Sequence, residues 1–100
     1  MKPISVEDRL PQIRETVLAS FVSRWGKGKR RVICAHYVPR FTVEAISEED
    51  YDEYHEESDT YYLCEGWYEN IENWADFESV HVCEGTVTHW MPIPQELMQL

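Results

Sequence analysis

No lysine or arginine occurs after Arg40. All nine bases lie in residues 1–40 beside three acids, and residues 41–100 contain the other sixteen acids. The first part therefore carries a formal charge of +6 and the second −16, which gives the net charge of −10. This excess of acid disfavours nonspecific binding to nucleic acid or to an anionic membrane, so we expect neither as a partner. A chain divided in this way tends to pair its oppositely charged parts, within one copy or between two copies as a homodimer.

Long apolar runs are also missing, since none approaches the roughly 20 residues that a membrane-spanning helix needs. Residues 1–8 have neither an apolar core nor a small-residue cleavage site, which predicts a cytoplasmic protein without a signal peptide. Only three cysteines occur, with no C-x-x-C pair, and an odd number without a secretory signal predicts free thiols. We expect no cofactor.

The sequence contains enough apolar residues to form one folded domain over residues 1–100. The apolar fraction is 43% and the aromatic fraction 13%, which argue against disorder. A chain of 100 residues can bury a core without a disulfide or a metal.

Runs of β-branched and aromatic residues predict most of the structure as strands. The segments 16–25 and 31–37 flank a short loop that contains Gly26 and Gly28, and they are expected to form a hairpin. Further strands are predicted at 61–68, 79–83 and 86–91, with a bulge at Gly66 and a short extended piece at 40–44.

Helical or irregular structure is expected in the remaining segments. Residues 3–11 predict a turn capped by Ser5, and 95–100 a tail or a single helical turn. The acidic segment 47–60, inserted between strands, is expected to be a short helix or a loop, and 69–78 one or two helical turns or a folded loop. The fold class predicted is a small β-rich α+β domain. It has one curled antiparallel sheet of four to five strands and one or two short helices around an aromatic core.

The stretch Val87-Thr88-His89-Trp90-Met91-Pro92-Ile93-Pro94 predicts a strand that ends at, or lies beside, a sheet edge, because proline cannot donate a backbone hydrogen bond. Its Trp90 is the strongest candidate for the core. The residues expected to build the core are Leu10, Val17, Trp67, Trp90 and Pro92.

This stretch and the segment Ile4-Ser5-Val6-Glu7-Asp8-Arg9-Leu10-Pro11 resemble the DUF551 family, whose members resemble W-I-S-V-x-x-R-L-P at the start and V-T-H-W-M-P-L-P at the end. The resemblance covers nearly the whole chain. Pro3 stands where the family has its leading Trp, and Gln95-Glu96-Leu97 replaces an acidic, proline-containing tail. The resemblance implies a protein of unknown function encoded by a phage or prophage, and it supplies no catalytic residues.

Cysteine and histidine alternate on two predicted strands, which raises the possibility of a zinc site. Cys34 with His36, and His81 with Cys83, would each point to one side of a strand, and sulfur and nitrogen are the ligands that zinc prefers. The spacing matches no common zinc module, and small buried thiols are the more ordinary interpretation. A Cys–His nucleophile pair is a further alternative, but no helix N-terminus or positive pocket is evident near a cysteine.

The acidic segment and the basic hairpin are the predicted protein-binding surfaces. The residues assigned to them are Asp50, Tyr51, Asp52, Glu53, Tyr54, Glu56, Glu57, Lys27, Lys29 and Arg30. The basic tip would pair with the acidic segment of the same chain or of a second copy in preference to phosphates. Three functions remain open: a non-catalytic interaction module with an unidentified protein partner, an acidic mimic of nucleic acid that inhibits a host defence or nucleic-acid-binding protein, and a small Cys/His metal-binding protein.

Overall fold

A computed structural model describes residues 2–24, 29–45, 52–72, 77–82 and 85–100. The strands within these ranges are β1 (Ile4–Ser5), β2 (Val17–Ser23), β3 (Arg30–Val38), β4 (Asp52–His55), β5 (Thr60–Leu63), β6 (Gly66–Glu72), β7 (Phe77–His81) and β8 (Gly85–Pro92), followed by the short helix α1 (Gln95–Met98). Within the described ranges, no helix has both the length and the apolar character that a membrane crossing requires.

The strands form two antiparallel sheets. Six of them make one sheet in the order β1-β8-β2-β3-β6-β7, and β4 and β5 make a separate two-stranded sheet. The prediction of a β-rich, antiparallel domain with little helix is confirmed. The prediction of one curled sheet of four to five strands was wrong. Residues 61–68 belong to two strands, β5 and β6, separated at residues 64–65, and Ile4–Ser5 and Asp52–His55 are also strands.

The hairpin predicted at the start of the chain is present as β2 and β3. Val17 pairs with Ala35 and Val22 with Arg30, and residues 25–28 of the connecting loop lie outside the described part. Burial alternates along β2: Val17, Ala19 and Phe21 are buried, while Leu18 is only half-buried. This period of two is what a strand with one face against the core requires.

The core lies on that face of the six-stranded sheet. The buried residues in contact are Val17, Ala19, Phe21, Ile33, Ala35, Trp67, Val87 and Trp90. Two of the predicted core residues differ: Pro92 is half-buried, and Leu10 is 43% exposed. Leu10 faces outward because the residues on either side of it make the contacts with the rest of the fold. The carbonyl of Arg9 accepts a hydrogen bond from Trp90 Nε1 at 2.9 Å, and Pro11 is buried.

The N-terminal segment joins the sheet before it turns. Ile4 pairs with Trp90 and Ser5 with His89, so the segment begins as a short edge strand. The predicted turn follows: Ser5 Oγ accepts from the Glu7 amide at 3.2 Å, and the Ser5 carbonyl accepts from the Asp8 amide at 3.0 Å. This places β8 between β1 and β2, where it ends at Pro92 as the missing proline donor predicts.

The two central segments, 47–60 and 69–78, were each predicted to be helix or loop, but most of their described residues form strands. In the acidic segment, 52–55 pair with 60–63 as β4 and β5, while 46–51 lie outside the described ranges. In the segment 69–78, β6 continues to Glu72 and pairs with β7, while 73–76 are not described. A short apolar pattern cannot separate helix from strand without knowledge of the neighbouring strands, which is why this segment was not predicted as a strand.

The inner face of the six-stranded sheet also carries an open cavity. Phe21 and Ser23 of β2 line this cavity of about 310 Å³ together with Val80 and His81 of β7.

Candidate functional site

The acidic hairpin, defined here as residues 52–63, contains all the described acids of the predicted binding surface. Its turn is held by side chains: Tyr54 Oη donates to Asp59 Oδ1 at 2.6 Å, and Asp59 adopts a positive φ of 52°. The Ser58 amide donates to His55 Nδ1 at 3.3 Å, and Ser58 Oγ lies 2.8 Å from the same nitrogen. These contacts tie the His55 ring to the turn.

The two sides of the acidic hairpin have different environments. Tyr54 and Tyr61 pair directly across the strands with ring centroids 5.1 Å apart, and they are 46% and 54% exposed. The other side packs on Phe41, whose ring centroid is 4.4 Å from that of His55 and 5.7 Å from that of Tyr62. One side therefore anchors the hairpin and the other presents a tyrosine pair to solvent.

Backbone groups within residues 39–45 pair with β5 and so hold the acidic hairpin in place. The Leu63 amide donates to the Val43 carbonyl and the Ala45 amide to the Tyr61 carbonyl, both at 2.9 Å. Glu44 also forms an isolated bridge to Tyr62. The segment 40–44, which was predicted to be extended, thus pairs with β5 only at its end. The part before it is a turn in which Phe41 has a positive φ of 56°.

Arg40 supplies the ion pair to the acidic hairpin. Its Nη2 lies 3.0 Å from Glu53 Oε2 and its Nε donates to Glu53 Oε1 at 3.2 Å, a bidentate geometry. The carboxylate of Glu53 raises the pKa of Arg40, and the guanidinium also lies 4.6 Å from the centroid of the Phe41 ring. The sequence reasoning missed Arg40, although it is the last base before the acid-rich part of the chain.

The predicted binding residues are only partly brought together. Glu53, Tyr54, Glu56 and Glu57 share the acidic hairpin, and the latter two are exposed on its turn. Asp50, Tyr51 and Lys27 lie outside the described residues, as does the side chain of Asp52. Lys29 is exposed, and Arg30 lies on the large sheet, where it donates to Ser20 Oγ at 3.0 Å and to Thr88 Oγ1 at 2.6 Å.

The expected pairing of the basic tip with the acidic segment is not seen where both are described. Within the described ranges the one ion pair is Arg40–Glu53, which uses neither Lys29 nor Arg30. Arg31 instead lies 5.8 Å from the centroid of the Phe21 ring.

The candidate metal ligands do not converge. The pairing partners of Tyr68 are His36 on β3 and His81 on β7, so the Tyr68 ring stands between the two imidazoles, with centroids 5.8 Å and 4.9 Å away. Cys34 is exposed, and Cys83 lies outside the described part of the chain. The described residues contain no group of three His, Cys, Asp or Glu side chains arranged to hold a metal ion.

The geometry at His36 also weighs against the Cys–His pair. Asn70 Oδ1 lies 2.5 Å from His36 Nδ1, and Ser79 Oγ lies 3.4 Å from His36 Nε2. Asn70 Nδ2 also donates to Thr16 Oγ1 at 3.0 Å. Both ring nitrogens thus have partners other than Cys34, and the network joins β3, β6 and β7 to the residue before β2.

Neither a curated protein nor a solved structure matches the chain. The family model described as "Protein of unknown function (DUF551)" does match, over residues 3–96. That range includes both terminal segments that carry the resemblance, all eight strands and the acidic hairpin. The chain therefore belongs to the DUF551 family of proteins of unknown function.

Proposed function

We propose that this protein is a non-catalytic protein-interaction module of a phage or prophage, and that it binds a bacterial host protein in the cytoplasm through the acidic hairpin. The observation that carries the proposal is the exposed pair Tyr54 and Tyr61 on a hairpin that is anchored from its other side.

Tyrosine pairs of this kind suit an interface. Exposed Tyr54 and Tyr61 offer large apolar surfaces with hydroxyl groups, and such residues are enriched among those that dominate binding energy. The contacts of Phe41 with His55 and Tyr62 hold the strands in place before a partner arrives, which lowers the entropic cost of binding.

The charge of the acidic hairpin specifies the kind of partner. Residues 52–63 contain no lysine or arginine, and Glu56 and Glu57 are exposed on the turn beside the tyrosine pair. A protein surface with several bases around an apolar pocket is complementary to this arrangement. The partner we propose is therefore a basic protein, bound by aromatic contacts at the centre and ionic contacts at the rim.

The two alternatives built on cysteine and histidine, a nucleophilic thiol and a metal site, have less support. A nucleophilic thiol requires a base within hydrogen-bonding reach, whereas His36 directs its nitrogens to Asn70 and Ser79 and away from Cys34. A Cys/His metal site requires ligands on one side, whereas Tyr68 separates His36 from His81.

Affinity capture from an infected or lysogenic host, with mass spectrometry, tests the proposal. The wild-type chain is compared with the double variant Tyr54→Ser/Tyr61→Ser and with the matched control Leu97→Ser, which changes a similarly exposed side chain on α1. We expect a specific protein that is retained by the wild type and the control and lost from the double variant. The same proteins on all three baits would contradict the proposal.

A more specific function for the same surface is to mimic nucleic acid, and the exposed acids at the turn favour it. It requires that the captured partner also bind DNA or RNA, and that nucleic acid compete with this protein for it. Neutralising Asp50, Asp52, Glu53, Glu56 and Glu57 to Asn or Gln should then abolish binding, and the affinity of the unaltered chain should fall steeply with salt. Binding that survives the five-site change would exclude mimicry and leave a tyrosine-dominated interface.

A further inference from the structure

The outer face of β8, β2 and β3, on the opposite side from the core, is open and combines apolar side chains with Ser20 and His89. Leu18 pairs with Met91 and with Cys34 in adjacent strands, which places Leu18 at the centre of this outer face. Val32 follows on the same side of β3 and is 65% exposed. Together with Pro3, the side chains of Leu18, Val32 and Met91 border a shallow depression of about 210 Å³.

Acidic residues are absent from these three strands. None of the chain's 19 acids occurs in β2, β3 or β8, although exposed strand positions in so acidic a protein would ordinarily carry some. The charged side chain at one end of the outer face is Arg30, which lies across it through its hydrogen bonds to Ser20 and Thr88. The outer face is therefore a neutral to weakly basic apolar patch on a molecule whose net charge is −10.

We infer that a second copy of this chain covers the outer face, sheet against sheet, around a two-fold axis. Self-association of an acidic protein is opposed wherever acid-bearing surfaces meet, and a patch without acids avoids that local repulsion. A two-fold axis brings the same patch of both copies together, and two sheets can pack in this way about 10 Å apart. Val32 and Leu18 would then interdigitate at the centre of the interface.

The response to salt separates a face-to-face dimer from a dimer formed by opposite charges. In a face-to-face dimer the residual electrostatic term is repulsion between two copies of charge −10, and salt screens repulsion. Dimerisation should therefore strengthen as salt is raised. A dimer formed by a basic tip against an acidic hairpin would weaken under the same change.

Sedimentation equilibrium of the full chain tests this, at about 50 mM and about 500 mM NaCl, which span strong and weak screening. A reductant is included because Cys34 is exposed on the same face. The variants are Val32→Glu, the milder Val32→Thr, and the control Leu97→Glu, whose original side chain has the same 65% exposure as that of Val32. Far-UV circular dichroism checks that each variant is folded.

The expected result is a wild-type dimer that tightens at the higher salt and an unchanged Leu97→Glu dimer. Val32→Glu should be monomeric, and Val32→Thr should weaken dimerisation on the order of tenfold, since each copy loses apolar contact. A wild type that stays monomeric at both salt concentrations would overturn the inference. So would a dimer that weakens with salt, or one that folded Val32 variants leave intact.

Discussion

At the scale of single residues, Trp90 joins the recognisable C-terminal stretch to the core. It is 5% exposed, contacts the buried cluster on β2 and β3, and donates to the Arg9 carbonyl, so it also holds the N-terminal segment on the sheet. Its character and burial were evident from the sequence, because an aromatic residue in a β-branched strand belongs on the buried side. The outward position of Leu10 was not evident, since it depends on which backbone groups of the N-terminal segment contact Trp90.

Replacement of Trp90 by alanine should therefore be severe. We expect Trp90→Ala to lower the free energy of unfolding by about 3–5 kcal/mol, from lost burial and the cavity left behind. Leu10→Ala, at a 43% exposed side chain, serves as the control and should cost less than about 1 kcal/mol. Urea denaturation followed by circular dichroism measures both, and a Trp90→Ala variant as stable as the control would show that the core does not depend on this side chain.

Tyr37 should make the free energy of unfolding fall at alkaline pH. Burial, with a hydrogen bond from the phenol to Glu65 and the charge of that carboxylate, raises its pKa to about 12 from the ordinary 10.0. The folded chain then holds the phenolic proton more tightly than the unfolded chain. The resulting stabilisation is complete below pH 10 and is lost as the pH rises towards 12.

The Tyr37→Phe variant isolates this effect, because it keeps the edge contact with Trp67, whose ring centroid lies 5.5 Å away. We expect the wild type to lose more stability than Tyr37→Phe across that alkaline range, as measured by urea denaturation at successive pH values. Glu65→Gln should give an intermediate slope, since it removes the carboxylate and leaves the burial. If the free energy of unfolding of the wild type and of Tyr37→Phe changed in parallel with pH, the phenol would have the same pKa in the folded and the unfolded chain, contrary to this prediction.

At the scale of strands and hairpins, local pattern predicted β2, β3 and β8 well and the acidic hairpin poorly. The first three are rich in β-branched and aromatic residues, which is a direct signal. Residues 52–55 contain acids that disfavour strands, and their pairing depends on the Tyr54–Tyr61 contact and on residues 39–45 behind them. The location of the acids was thus predictable, but their anchorage by Arg40 and Phe41 required the tertiary structure.

The boundary between β5 and β6 depends on Gly66. This glycine has a φ of +148°, and a Cβ added there would lie 2.9 Å from His81 Nε2. Non-glycine residues rarely adopt that backbone angle, and the His81 ring is packed against Tyr68 at 4.9 Å between centroids. Gly66→Ala should therefore cost roughly 1–3 kcal/mol of unfolding free energy from strain and close contact.

A double-mutant cycle with His81→Ala separates the two causes of that cost. If the contact with the imidazole contributes, the loss caused by Gly66→Ala should be smaller in the His81→Ala background, whereas backbone strain should persist in both. Chemical denaturation of the four proteins provides the measurement. A Gly66→Ala variant with wild-type stability would mean that the chain reaches another conformation at this boundary without penalty.

At the scale of the whole molecule, the charge is divided along the chain, but the residues that the structure describes contain one ion pair, Arg40–Glu53. Its side chains are 60% and 33% exposed, and a pair so open to solvent adds little to stability. A net charge of −10 on 100 residues adds self-repulsion, which opposes the compact state.

Screening that repulsion should stabilise the fold. We expect the thermal midpoint to rise between about 50 mM and about 500 mM NaCl, where the Debye length falls well below the molecular dimensions. Measuring the Val32→Glu variant as well separates this effect from salt-dependent dimerisation, which that substitution should remove. The further change Glu56→Gln/Glu57→Gln should flatten the dependence, because two exposed acids are neutralised. A midpoint that falls with salt would instead mean that attraction between the basic and acidic parts outweighs repulsion.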